Sequence, residues 1–165
     1  GGNSGNPIFD WFIGRELNPR IGEFDIKTFN ELRPGLILWA LLDISCVGHQ
    51  YTKFGWGSDS IVLVTLFHIS YFVDSLINES TILTQMDITT DGFGFMLSVG
   101  DLAWLPFTYC LQARFLAFHP IHLGWLGVLA ILAVQFTGYY IFRVANLEKN
   151  EFRHGRNPKG TYTVR

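Results

Sequence analysis

The chain has 165 residues, of which 48% are hydrophobic and 16% are charged, and its mean hydropathy is +0.24. Soluble domains carry roughly 25% charged residues, so this composition is typical of a membrane protein. The net charge of −2 gives no reason to expect nucleic-acid binding. Cys46 and Cys110 lie inside apolar stretches without metal-site spacing, so neither a metal site nor a disulfide framework is predicted.

Residues 1–32 form a mixed, turn-rich segment. Pro19, Pro34 and several glycines exclude one continuous helix here, so we expect an ordered loop or a helix lying at the membrane interface on the cytosolic side. The chain begins without Met and without a recognisable cleavable signal, which leads us to expect a piece of a longer protein.

Four apolar stretches follow, and we predict each as a transmembrane helix: 33–51, 60–77, 92–118 and 121–147. A spanning helix needs about 20 largely apolar residues, which the third and fourth stretches meet easily and the first two only marginally. Pro106 predicts a kink in the third. The alternative is a soluble helical bundle, against which the fourth stretch argues because it is uncharged from His122 to Arg143.

The basic residues predict the topology. Apart from Lys53 and Arg114, they lie before or at the start of the first stretch and at the end of the fourth or after it. Four passes put both ends on one side, which the positive-inside rule makes cytosolic. The loop 78–91 is then cytosolic too, yet it carries Glu79, Asp87 and Asp91. This local departure from the charge rule raises the question of a chemical role for these acids.

Three further carboxylates, Asp43, Asp74 and Asp101, lie within or beside the apolar stretches. A carboxylate near the bilayer centre costs about 3 kcal/mol or more, so such groups face a bundle interior, a cavity or a partner. Burial raises the pKa of a carboxyl group, which allows it to keep a proton and donate it near neutral pH. A structural hydrogen bond between helices is the alternative for each single Asp.

The second stretch carries a polar face. Tyr71, Asp74, Ser75 and Asn78 are spaced three or four apart, so they share one side of a helix, with His68 one residue off that side. Such a face either lines a cavity or joins helices through hydrogen bonds.

Lys149 and Arg153 follow the fourth stretch at helical spacing. They are suited to hold a phosphate, which Arg binds with two parallel hydrogen bonds, or to anchor the chain at anionic headgroups. Spacing alone favours the anchor. The chain lacks a G-x-G-x-x-G motif, so no Rossmann-type site is predicted.

Three long motifs resemble the sterol reductase family. GRELNPRIGEFDIKTFNELRPG (14–35) resembles its LNPRIG signature, and MDITTDGFGFMLSVGDLAWLPFTYCLQARFL (86–116) resembles its second long block. KNEFRHGRNP (149–158) is similar to its K-N-x-F-R segment. The first motif is closest to the delta-14 type; 7-dehydrocholesterol reductase and the sterol-reductase domain of lamin B receptor are further members.

The resemblance implies an all-α integral membrane protein, a multi-span helical bundle of the endoplasmic reticulum, with about four of roughly ten spans in this chain. It divides the chain into the LNPRIG segment (1–32), the transmembrane part (33–147) and a cytosolic basic segment (148–165). It further implies NADPH-dependent reduction of the C14=C15 double bond of a sterol intermediate of the 8,14-diene type. Lys149 and Arg153 then contact NADPH, which reverses the preference for an anchor. The other cofactor residues lie beyond Arg165, so we expect this chain alone to be inactive.

Reducing an unactivated alkene with a hydride donor first requires protonation of one alkene carbon. One wall of the sterol site must then donate this proton, and we call it the proton-donating wall. We expect it to be formed or supported by Tyr71, Asp74, Asp87 and Asp91. The chain departs from the delta-14 pattern Y-V-x-D-A-L-Y-N-E, because Ile77 stands where the second tyrosine is usual. The alternatives are a non-catalytic membrane scaffold like lamin B receptor, a 7-dehydrocholesterol-type reductase and, on the intramembrane acids alone, a transporter.

Overall fold

The computed structural model describes residues 3–156, which are mostly helical. These described residues divide into two compact units, one up to residue 122 and one from residue 123 onward. The elements in order are α1 (Pro7–Ile13), β1 (Arg20–Ile21), β2 (Phe24–Asp25), α2 (Ile26–Leu32), α3 (Pro34–Phe54), α4 (Asp59–Ile77), α5 (Glu79–Ile82), α6 (Met86–Thr89), α7 (Phe95–Val99), a π-helix (Gly100–Trp104), α8 (Leu105–Tyr109), α9 (Leu111–Phe118) and α10 (Gly124–Arg153).

The N-terminal segment is more ordered than a loop. The Asn6 side chain caps α1 by accepting hydrogen bonds from the backbone N–H groups of Ile8 and Phe9, at 3.1 and 3.3 Å. The two short strands pair antiparallel with Arg20 opposite Asp25. Asp25 then caps α2 by accepting from the Thr28 backbone at 2.9 Å. A hairpin therefore leads directly into α2.

The first two apolar stretches are α3 and α4, so both predicted helices are present with nearly the predicted bounds. α3 lies at the centre of the first unit, packed against α4 on one side and against α8 and α9 on another. One core cluster consists of Leu36, Trp39 and Cys110, and a second of Ile61, Leu116 and Ala117.

The third stretch, predicted as one span with a kink, is helical from Phe95 to Phe118, with a π-helix at Gly100–Trp104 and a single turn residue at Cys110. The π-helix lies immediately before the segment that contains Pro106, whose ring nitrogen has no hydrogen to donate. A widened turn absorbs this missing hydrogen bond, and a second break follows at Cys110.

Among residues 3–156, α4 and α10 are long and apolar enough to cross a membrane. At 1.5 Å per residue, the 30 residues of α10 extend about 45 Å, longer than the roughly 30 Å hydrocarbon core of a bilayer. α10 continues beyond the predicted end at 147, so Lys149 and Arg153 are helical. A total of four spans stays a prediction.

Candidate functional site

The loop 78–91, called the acidic loop below, is followed by residues 92–94. The backbone of these three residues packs directly against the N-terminal segment. Gly14, at a φ of 94°, lies against Gly92 and Gly94, and a Cβ atom on any of the three would overlap the backbone opposite. Phe93 donates its backbone N–H to the carbonyl of Glu16 at 3.0 Å. Only glycine permits so close a backbone approach, and it brings Gly92 and Gly94 against the residue at which the 14–35 motif begins.

Lys27 is the second connection between these two segments. Its side chain is fully buried, and its ammonium group donates to the carbonyls of Leu17 at 3.2 Å, Ile88 at 3.0 Å and Asp91 at 2.5 Å. An ammonium group has three hydrogens, so all of its donors are used. Lys27 thus holds the main chain of the acidic loop at two points.

Carboxyl groups surround Lys27 on several sides. Burial lowers the pKa of the Lys27 ammonium, and the negative charges of Glu31, Asp91, Asp25 and Asp87 oppose that shift. Glu31 lies one turn after Lys27 in α2. Burial, together with repulsion from Asp101 and Asp87, raises the pKa of Glu31 to about 7, and attraction to Lys27 only partly offsets this. Glu31 is therefore a carboxyl group that keeps a proton close to neutral pH.

Oε2 of Glu31 and Oδ2 of Asp101 are buried, and neither oxygen has a hydrogen-bond partner among the described residues. Buried polar atoms are normally paired, and an unpaired one costs about 1–3 kcal/mol. The unpaired oxygens lie where α2 packs against the π-helix. We name the group of Lys27, Glu31, Asp87, Asp91 and Asp101 the lysine–carboxylate cluster.

The sequence model of the ergosterol biosynthesis ERG4/ERG24 family matches residues 1–164. The chain belongs to this family. It is 66% identical over 158 residues to Delta(14)-sterol reductase erg24 of Schizosaccharomyces pombe, covering 95% of this chain and 37% of the relative. It is 56% identical over 167 residues to Delta(14)-sterol reductase ERG24 of Saccharomyces cerevisiae, covering 100% of this chain and 38% of the relative. The predicted resemblance to the delta-14 type is confirmed, and the chain spans less than two fifths of the length of these relatives.

The four predicted proton-donating residues of this ERG4/ERG24 family member fall into two groups. Asp87 is exposed and Asp91 is partly buried, and both belong to the lysine–carboxylate cluster. The backbone of Asp91, not its carboxylate, accepts from Lys27. Tyr71 and Asp74 form the other group, on α4, and Tyr71 is 50% exposed.

Some residues of the polar face of α4 form hydrogen bonds within the helix and at its end. Ser75 donates to the Tyr71 carbonyl at 2.9 Å, and Asn78 donates to the Asp74 carboxylate at 3.1 Å. Asn78 thereby holds the Asp74 side chain at the end of α4. Ile77, which stands where a tyrosine is usual, is 76% exposed.

Glu79 has a partner outside the lysine–carboxylate cluster. Its carboxylate forms an ion pair with the Arg33 guanidinium at 3.0 Å, and both nitrogens of the fork contact it. This pair joins the start of α3 to the start of α5. One acid of the loop that departs from the charge rule is therefore neutralised by the basic residue directly before α3.

Lys27 and Glu31 were missed as site residues when only the sequence was considered. Both lie in the α2 stretch IKTFNEL, where they are four residues apart and have the pattern of a solvated ion pair at a membrane interface. The available signal was their position inside the 14–35 motif, directly before an apolar stretch. Their burial depends on the loop 86–91 and on the π-helix, which contribute from far along the chain.

Proposed function

We propose that the full-length enzyme, meaning a protein of the relatives' length that contains this chain, reduces the C14=C15 double bond of a sterol intermediate. The substrate is of the 8,14-diene type, and the hydride donor is NADPH. The reaction takes place in the endoplasmic reticulum membrane. The observation that carries the proposal is the 66% and 56% identity to two proteins named Delta(14)-sterol reductase.

The reaction needs a proton on one alkene carbon and a hydride on the other, which NADPH supplies when bound. Lys149 and Arg153 fit its phosphate groups, because they lie four residues apart on the last turns of α10 and each carries a positive charge. Their side chains would bind and orient the cofactor at the cytosolic end of that helix.

The proton would come from this chain's acidic groups. We propose that Tyr71, Asp74, Asp87 and Asp91 form or support the proton-donating wall. Glu31 joins this group of candidates, because its raised pKa keeps it protonated near pH 7. Lys27 would keep Asp87 and Asp91 in place by holding the backbone of their loop.

Complementation tests the activity. Yeast cells that lack their own delta-14 reductase would receive the full-length enzyme, and their sterols would be measured by mass spectrometry. We expect the 8,14-diene to disappear. Persistence of the diene alongside normal protein levels would contradict the proposal and would favour a membrane scaffold or a reductase of another ring bond.

Substitutions in the same system test the wall. We expect at least one of Asp74→Asn, Asp87→Asn and Asp91→Asn to slow sterol reduction, since an amide has no acidic proton to donate. Asp59→Asn is the matched control, because Asp59 lies at the opposite end of α4. Its carboxylate accepts a hydrogen bond from the backbone N–H of Ser60. Unchanged reduction in all three variants would remove these acids from the mechanism.

A further inference from the structure

Asp43 and His68 join α3 to α4 in the interior of the first unit. Asp43 is completely buried, and its Oδ2 atom lies 2.6 Å from Nδ1 of His68. The other carboxylate oxygen, Oδ1, is buried and has no hydrogen-bond partner among residues 3–156. Trp39 lies one turn earlier on α3, and its Nε1 atom is also buried without a hydrogen-bond partner among these residues.

Trp39 lies between this pair and Tyr71, one of the candidate proton donors. Its ring lies 4.4 Å from the His68 ring, 6.1 Å from the Tyr71 ring and 5.4 Å from the Tyr109 ring, measured between centroids. The rings of Trp39 and Tyr71 are inclined by 59°, a tilted contact of the kind that aromatic pairs prefer. His68 and Tyr71 are one turn apart on α4, so Trp39 touches both from the opposing helix.

Stability alone does not account for a polar pair at this position. Taking a carboxylate out of water is costly, and replacing a buried pair by well-packed apolar residues is often neutral or stabilising. A pair that retains an unpaired carboxylate oxygen and an unpaired indole N–H nearby is an even weaker source of stability. Local rules of this kind are broken most often at functional sites.

We propose that Asp43 and His68 are positioning residues, which orient Tyr71 toward the sterol through the ring of Trp39. Asp43 fixes the orientation of the imidazole ring, the imidazole ring packs on the indole, and the indole limits the rotation of the Tyr71 ring. This inference rests on the proposed function, since it assigns to Tyr71 a role in that reaction.

The decisive variant is the double substitution Asp43→Leu with His68→Leu in the full-length enzyme. Because both polar partners are removed together, no uncompensated charge stays buried and the protein is expected to fold. A misplaced catalytic group slows the chemical step, so kcat should fall about 10-fold to 100-fold while KM for the sterol stays within about 3-fold. A well-folded double variant with unchanged kcat would overturn the proposal.

A conservative variant provides the rescue. Asp43→Asn retains an oxygen that accepts the Nδ1–H of His68, so it should recover most of the kcat that the double variant loses. A loss as large as that of the double variant would contradict a role in orienting the imidazole.

The matched control is Gln50→Leu, which removes another fully buried polar side chain of α3. Gln50 donates to the Leu116 carbonyl at 2.7 Å and accepts from the Ser58 backbone at 2.6 Å, and neither contact involves Trp39. We expect lower thermal stability and an unchanged kcat per folded molecule. A fall in kcat equal to that of the double variant would show a general response to damage in α3 and would overturn the proposal.

A double-mutant cycle tests the route through Tyr71. Tyr71→Phe should lower kcat in the parent enzyme and should have much less effect when Asp43 and His68 are already leucine, because the two changes act on one group. Fully additive losses would overturn the proposal.

One measurement does not depend on activity. With fluorotyrosine incorporated, the ¹⁹F signal assigned to Tyr71 should change in the double variant and keep its position in Gln50→Leu. An enzyme that leaves the 8,14-diene unreduced but shows this change would refute the proposed function while leaving the positioning contact intact. An unchanged Tyr71 signal in an active enzyme would refute the positioning contact alone.

Discussion

Two charged residues of α2 are withdrawn from water, Lys27 completely and Glu31 in part. Lys27 precedes the first apolar stretch, where basic residues usually mark the cytosolic face, but its ammonium group donates only to backbone carbonyls. Glu31 lies beside it, partly buried, with one oxygen unpaired among the described residues. Withdrawing both side chains from water costs free energy, and the three hydrogen bonds of Lys27 point to a role in holding the acidic loop.

Replacing Lys27 by Met should release the acidic loop. The substitution leaves the carbonyls of Leu17, Ile88 and Asp91 without their donor, and each buried unpaired carbonyl costs about 1–3 kcal/mol. We expect lower thermal stability in detergent and faster cleavage by protease within the loop. Lys53→Met, at an exposed position near the end of α3, is the control. Equal protease resistance of the two variants would contradict the tether.

The protonation of Glu31 should appear in the pH dependence of stability. Its pKa in the folded chain, about 7, exceeds the ordinary 4.5, so between these pH values the folded state holds more protons than the unfolded state. Folding stability from this group is therefore complete below about pH 4.5 and declines as the pH rises through about 7.

Glu31→Gln should remove this decline, because the amide has no proton to lose. Allowing for partial solvent exposure, we expect the variant to gain about 1–2 kcal/mol relative to the parent between about pH 4 and about pH 8. Thermal unfolding across that range measures the difference, and Glu23→Gln is the control at an exposed acid. Parallel profiles for parent and Glu31→Gln would rule out the raised pKa.

At the scale of elements, the contact of α1 and α7 depends on glycine. Gly14 follows α1 and Gly94 precedes α7, and their backbones approach more closely than any side chain allows. The aromatic rings of Trp11 and Phe95 stack at 4.4 Å beside this crossing. Backbone proximity and ring stacking together set the angle at which the LNPRIG segment meets the acidic loop.

Gly14→Ala should separate these elements. The new methyl group would overlap the backbone of Phe93 and Gly94, and the positive φ of 94° adds strain for any residue with a Cβ. We expect a destabilisation of several kcal/mol, since Ala at an incompatible φ in a packed site combines two costly mechanisms. Gly48→Ala is the control, because that glycine lies in α3 with open space around its Cα. Similar thermal stability of both variants would contradict the close backbone packing.

At the scale of the whole molecule, the long α10 carries Lys149 and Arg153 beyond its apolar part. If these residues bind the phosphates of NADPH, Lys149→Met and Arg153→Met in the full-length enzyme should each raise KM for NADPH by about 10-fold to 100-fold, since a charged hydrogen bond contributes roughly 1.5–3 kcal/mol. KM for the sterol should change little.

Arg156→Met is the control for this prediction, because Arg156 is basic but lies beyond the end of α10. An anchor at anionic headgroups would give a different result. Every basic residue of the segment would then contribute similarly to membrane attachment, and KM for NADPH would stay constant in all three variants.

Features that depend on local composition or on long motifs could be predicted from the amino-acid sequence. Hydropathy predicted α3 and α4 to within three residues at each end, because the apolar composition of a helix is a property of the stretch itself. The motifs predicted the family, which the match over residues 1–164 confirms. Pro106 predicted a disturbance of the third stretch but not its form, a π-helix at Gly100–Trp104, since a π-helix depends on what packs around it.

Which charged groups are buried, and what they contact, depends on how distant parts of the chain pack together. Lys27 meets acceptors 61 and 64 residues away, and Asp43 meets His68 25 residues away. The pKa of Glu31 likewise depends on Asp87 and Asp101 in other elements. Electrostatic interactions and desolvation act through space, so residues that have the pattern of surface charges along the chain become, after folding, the buried groups from which a site is built.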